Sequence, residues 1–186
     1  MTGGNMREKT LAQTGQLRAL VREAAEKLSR AGIEEAHLDA RLLLEYAAGI
    51  TVQDYMMDPF QVLPEEKVRA DHEAVEKRAA RLPLQHITGQ QEFMGYPFRV
   101  NAPVPIPRQD TETLGECARE KLEPEMEVLD LCTGSGCIAA SLYLIGKKQG
   151  KVFPDRCFDA ADISAEALDT ARENCRALGA QVRLIH

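Results

Sequence analysis

Basic residues are in deficit throughout this 186-residue chain. Its net charge is −6 and neither half carries a positive surplus, which argues against direct binding of nucleic acid, where many phosphates must be neutralised. Long apolar runs are also missing. The longest falls far short of the stretch needed to cross a bilayer, and Met1-Thr2-Gly3-Gly4-Asn5 lacks a secretory pattern. The five cysteines, at 117, 132, 137, 157 and 175, include no Cys-x-x-Cys and no accompanying histidine pair. No metal site is expected from them, and reduced thiols in a cytoplasmic chain fit best. With 44% hydrophobic and 28% charged residues, the chain can bury a core in one or two domains.

Helical spacing dominates the first part. Leu17, Leu20, Val21, Ala24 and Leu28 share one helical face before Gly32. A second helix is expected through Leu38, Leu42 and Tyr46 to Gly49, and a short third one is marked by Thr51 with Asp54 and ends before Pro59. A fourth starts at Pro64 and carries Val68, Val75, Ala79 and Leu82, with Glu65 and Glu66 at its positive end. His72 falls on that stripe and His37 near a helix start. Neither has a partner at ligand spacing, so both read as structural. From Pro83 to Arg108 the texture changes to a hairpin linker, Glu92-Phe93-Met94 and Phe98-Arg99-Val100 around Gly95-Tyr96-Pro97. A helix capped by Asp110 or Thr111 then runs toward Leu122. The expected organisation is a helical domain over 1–82, a linker over 83–108, and an α/β domain over 109–186.

The most informative segment is Val128-Leu129-Asp130-Leu131-Cys132-Thr133-Gly134-Ser135-Gly136, an apolar strand entering a glycine-rich turn that opens a helix from Cys137 to Ile145. Gly134 and Gly136 remove Cβ atoms that would block a ligand. The first N–H groups of the new helix are unpaired and partly positive. This is a common way to hold an adenosine-containing cofactor. Downstream, Asp162 or Asp159 ends the second strand, where a carboxylate can accept from both ribose hydroxyls. Ser164 reads as the cap of a helix from Ala165 to Leu178, with Gly179 beyond it, and residues 181–186 read as a third strand.

Pro83-Leu84-Gln85-His86-Ile87-Thr88-Gly89-Gln90-Gln91-Glu92-Phe93-Met94-Gly95, followed by Ile106-Pro107-Arg108-Gln109-Asp110-Thr111-Glu112-Thr113-Leu114, closely resembles the bacterial release factor glutamine methyltransferases, the HemK/PrmC family. Two departures are visible, Pro105 in place of the usual leucine and Gln109 in place of proline. The resemblance implies a helical domain and hairpin linker leading to a Rossmann-like domain that uses S-adenosylmethionine. It also implies methylation of the side-chain amide of the glutamine in the Gly-Gly-Gln motif of peptide chain release factors, the protein partner. Within that family Asp130, Cys132, Thr133, Gly134, Ser135 and Gly136 form the cofactor loop, with Asp130 receiving the cofactor ammonium. The Asp-Ile-Ser pattern selects Asp162 for the ribose. Arg108, Thr111 and Phe93 are weaker candidates to line the pocket from the linker side.

The family's Asn-Pro-Pro-Tyr motif, which holds the substrate amide, does not occur in these 186 residues. No catalytic residue is therefore assigned, no turnover is expected, and the first strand of the sheet is expected to have an open side. Two other readings compete. Gly134-x-Gly136-x-x-Ala139 also satisfies the fingerprint of an NAD(P)-dependent dehydrogenase, although Asp162 lies farther from the loop than the ~20 residues usual there. The helical domain could alternatively serve as a non-catalytic module that docks a release factor.

Overall fold

The computed structural model describes residues 15–102, 104–154 and 156–186, and the chain divides into two compact units, Met1–Thr88 and Gly89–His186. The first is helical. Helix α1 (Leu17–Arg30) buries Leu17, Leu20, Val21, Ala24 and Leu28, the five positions whose spacing announced it. Helix α2 (Ala36–Ala48) packs on α1 through a different face from the one expected. Ala36, Asp39, Ala40, Leu43, Leu44 and Ala48 are buried, whereas Leu38 and Tyr46 are exposed. Leu38, Leu42 and Tyr46 do form a helical stripe, but the stripe of small and branched residues beside it lets α1 approach closely, and packing chose that one. Helix α3 (Val52–Met57) begins with a reciprocal capping box between Thr51 and Asp54.

Helix α4 (Glu65–Ala79) starts just after Pro64 and places Asp71, Ala74 and Val75 inward. His72 is exposed. Arg78 Nε donates to Asp39 Oδ2 at 2.7 Å and ties α4 to α2. A short helix, α5 (Leu84–Thr88), lies where the sequence reads as linker.

Asp71 is the unusual member of this core. It is 1% exposed and neither carboxylate oxygen has a hydrogen-bond partner among the described residues. Burial pushes its carboxyl up to about 6 from an ordinary 3.8, against a smaller opposing pull from His72. The native state therefore holds a proton that the unfolded chain releases near pH 4. The contribution of Asp71 to stability is greatest below that pH and is lost as pH rises through 6, about 3 kcal/mol in all. Asp71→Leu is expected to raise the urea midpoint at pH 7.5 and to flatten its change between pH 4 and 7. Parallel pH profiles for the two proteins would sink this assignment.

The second unit opens with an antiparallel hairpin, β1 (Gln90–Phe93) and β2 (Tyr96–Arg99), paired Phe93 to Tyr96 and Gln90 to Arg99. Its turn is tighter than the Gly95-Tyr96-Pro97 expected. Met94 (φ 49°) and Gly95 (φ 80°) make it alone, because two consecutive left-handed residues match the twist of the flanking strands. Helix α6 (Gln109–Lys121) follows, starting slightly ahead of the expected caps. Arg108 occupies the cap position without a side-chain bond, and Asp110 and Glu112 lie in the first turn.

Strands β3 (Val128–Leu131), β4 (Phe158–Ala161) and β5 (Arg183–Ile185) form a parallel sheet in that order. They are joined by helices α7 (Cys137–Lys148) and α8 (Ala165–Leu178). Phe158 anchors the covered face with Tyr143, Phe153, Leu122 and Leu142. Leu129, Leu131 and Ile185 occupy the opposite face and are exposed, and β3 pairs on one side only among the described residues. Parallel sheets are ordinarily buried on both faces. A helical unit followed by alternating strands and helices of a Rossmann-like sheet is the architecture expected from the sequence. Among the described residues no helix is long and apolar enough to cross a membrane, and no cluster of metal-ligating side chains occurs.

Candidate functional site

Three left-handed residues shape the turn after β3, namely Cys132 (φ 60°), Gly134 (φ 57°) and Gly136 (φ 78°). Alternation of this kind turns successive backbone N–H groups toward one side, a concavity suited to negative groups. The last of the three is the N-cap of α7, whose positive end faces the turn. Gly136 is glycine for a second reason: a Cβ built there would lie 3.0 Å from the Ala171 Cβ and 3.3 Å from its Cα on α8. At Gly134 the nearest atom would be Val104 Cγ1 at 3.8 Å, so there a ligand has room to approach the backbone. Cys132 is exposed. Thr133 and Ser135 are buried and belong to the frame of the turn.

Two carboxylates bind that frame. Asp130 Oδ2 accepts from Thr133 Oγ1 at 2.6 Å and from the Ala139 N–H at 3.3 Å, linking the end of β3 to the first turn of α7. Burial raises the Asp130 carboxyl pKa, opposed by the bonds from Thr133 and Ala139 and supported more weakly by the negative charge of Asp162. Asp162, just beyond β4, accepts from the Gly134 N–H at 2.9 Å through Oδ2 and from the Ser164 N–H at 3.0 Å through Oδ1. The Ser164 N–H is the chief cause of its lowered pKa, so this carboxylate is ionised at neutral pH. Each of its oxygens keeps acceptor capacity for a further donor.

All seven sequence-derived residues thus lie on one turn or against it. Asp159, the competing candidate, is elsewhere: it shares the opposite sheet face with Arg183, whose Nε donates to it at 2.7 Å and which lowers its pKa. Phe93 is 1% exposed and packs edge-on against Phe98 at 6.2 Å, so it is a core aromatic. Arg108 lines a cleft of about 180 Å³ with Gln91, Glu92, Phe93, Pro107, Gln109 and Glu112; no residue of the glycine turn lines it. Thr111 donates its backbone N–H to the Arg108 carbonyl at 2.9 Å, a helix-start contact. Ser164 caps α8 by accepting from the Ala167 N–H, as its position implied.

Sequence reasoning missed the polar residues on the inner face of α8. Asn174 is 1% exposed and joins Ser135 to Arg99, and Thr170, 2% exposed, donates to Asn101 Oδ1 at 2.9 Å. The available signal was two polar residues on the stripe formed by Ala167, Leu168, Ala171 and Cys175.

A parallel sheet whose first strand enters a helix through this turn, with an acidic residue after the second strand, defines a Rossmann-like fold of the kind that holds nucleotide-like cofactors. Residues 19–89 match the family model described as the PrmC N-terminal domain. The chain is 38% identical over 172 residues to the release factor glutamine methyltransferase of Moorella thermoacetica, covering 90% of this chain and 58% of that protein. The corresponding protein of Deinococcus radiodurans is 36% identical over 173 residues, covering 91% and 59%. That of Cereibacter sphaeroides is 39% identical over 164 residues, covering 88% and 56%. By sequence the chain is similar to the release factor glutamine methyltransferases, and it spans a little over half the length of the curated relatives it matches.

Proposed function

We propose that the glycine turn binds S-adenosylmethionine, and that the protein methylates the side-chain amide of the Gly-Gly-Gln glutamine in peptide chain release factors. The observation that carries the reading is the join of Asp130, Gly134 and Asp162 around one left-handed turn at the positive end of α7. When bound, the cofactor supplies a methyl group on a positively charged sulfur. Asp130 would receive its ammonium through Oδ1, the oxygen not engaged by Thr133 and Ala139. The α7 amides favour its carboxylate, and Asp162 would take the ribose hydroxyls on its remaining lone pairs. Cys132, Thr133, Ser135 and Gly136 hold the turn in the shape that allows this. An amide nitrogen is a weak nucleophile, so transfer depends on alignment and on polar groups aimed at the developing charge. No residue of this chain is assigned to that step.

The test is calorimetric titration with S-adenosylhomocysteine, with NADH as the competing probe. Saturable binding of the former is expected, and Asp162→Ala should weaken it about tenfold or more, the cost of losing charge-assisted bonds to two hydroxyls. Binding of NADH alone would favour the dehydrogenase reading. Equal affinity of Asp162→Ala and the natural chain would remove Asp162 from the site.

A further inference from the structure

Asn174 uses its whole side-chain amide on two segments far apart in sequence. Its Oδ1 accepts from the Arg99 N–H at 2.8 Å, while Nδ2 donates to the Arg99 carbonyl at 3.0 Å and to the Ser135 carbonyl at 2.9 Å. One N–H and two carbonyls leave no ambiguity about which end of the amide is oxygen. Arg99 is the last residue of β2, and Ser135 lies between the two glycines of the turn. The same face of α8 makes two neighbouring contacts. Thr170 reaches Asn101, two residues beyond Arg99, and Ala171 is the residue against which Gly136 is seated.

A buried asparagine in a helix interior is a costly choice unless its bonds are needed, since the backbone groups it satisfies would otherwise be stranded away from water. Here they belong to the hairpin and to the glycine turn together. We infer that Asn174 is a positioning residue that couples the hairpin linker to the cofactor turn, so that a shift of β2 is transmitted to the Ser135 peptide and to the flanking Gly134 and Gly136. The inference deepens the methyltransferase reading and rests on it for the identity of the ligand. The coupling itself is a property of the ligand-free chain. Asn174 has no part in methyl transfer; it sets where the turn's backbone amides lie relative to the linker.

Asn174→Asp is the sharpest test because it keeps the shape and the bond from the Arg99 N–H, but turns an oxygen toward two carbonyl oxygens. In the 186-residue chain without ligand, hydrogen exchange is expected to quicken in the hairpin peptide spanning 96–100 and in the turn peptide spanning 131–139 together. Affinity for S-adenosylhomocysteine should fall about tenfold, the equivalent of one good buried hydrogen bond. Faster exchange confined to the hairpin, with affinity changed less than twofold, would overturn the coupling and leave Asn174 a local staple. If the natural chain does not bind S-adenosylhomocysteine, the cofactor reading fails, yet the ligand-free exchange still decides the coupling. Should Asn174→Asp not fold, the natural chain supplies the answer: saturating ligand is expected to slow exchange in both peptides, and protection limited to the turn overturns the inference.

Discussion

Gly136→Val is expected to abolish S-adenosylhomocysteine binding and to destabilise the α/β unit by about 2 to 5 kcal/mol. The left-handed backbone at this position costs an L-residue about 1 to 2 kcal/mol, more for a branched one. Its side chain would also enter the space held by the Ala171 Cβ and Cα, and overpacking of this kind costs about 1 to 3 kcal/mol. Backbone atoms of α8 cannot move aside as a flexible side chain would, so the strain is relieved by shifting the turn away from α8. Gly150 is the matched control. It has φ 81° but nothing within 4 Å of a Cβ, so Gly150→Val carries the backbone cost alone and should leave ligand binding unchanged. Urea denaturation and calorimetric titration of the two variants side by side check this. Equal losses at both positions would show that backbone strain, and not the seating against α8, governs the turn.

Phe158→Ala should cost about 3 to 5 kcal/mol, the range for removing a large aromatic from a core that cannot collapse around the gap. Phe158 is fully buried in the central strand of the sheet. It makes T-shaped contacts with Tyr143 at 5.5 Å and Phe153 at 5.0 Å, geometries that add to area burial. Among the described residues the sheet is covered on one face, with Leu129 and Leu131 exposed on the other, so this aromatic cluster bears most of its cohesion. A loss near the full stability of a domain is expected to eliminate cooperative unfolding of the sheet. Phe158→Leu keeps much of the volume and should retain the transition at a lower urea midpoint. A Phe158→Ala chain that melts within 1 kcal/mol of the natural one would show that the core lies elsewhere.

Local signals were reliable wherever a short segment decides its own conformation. The capping box at Thr51 and Asp54, the Ser164 cap and the Gly179 stop of α8 all stand where side-chain chemistry placed them, because each satisfies orphan backbone groups within one turn of itself. Reading failed where two chemically acceptable choices competed. Leu38 and Tyr46 make as good a stripe as Leu43 and Leu44, and the approach of α1 and α4 separates them. The hairpin turn went to Met94 and Gly95 in place of a longer glycine–proline loop because strand twist favours the two-residue form.

From the sequence alone came the order of helices, hairpin and glycine turn and the expectation that the turn holds a ligand, since these rest on residue types at short spacing, while the family resemblance selected Asp162. Tertiary structure decided which oxygen of Asp130 is engaged, that Asp159 is claimed by Arg183, that Asp71 is buried without a hydrogen-bond partner among the described residues, and that Asn174 joins linker to turn. Each of these depends on groups brought together from separate stretches of chain, and periodicity cannot report which buried polar atoms meet one another when helices and strands pack.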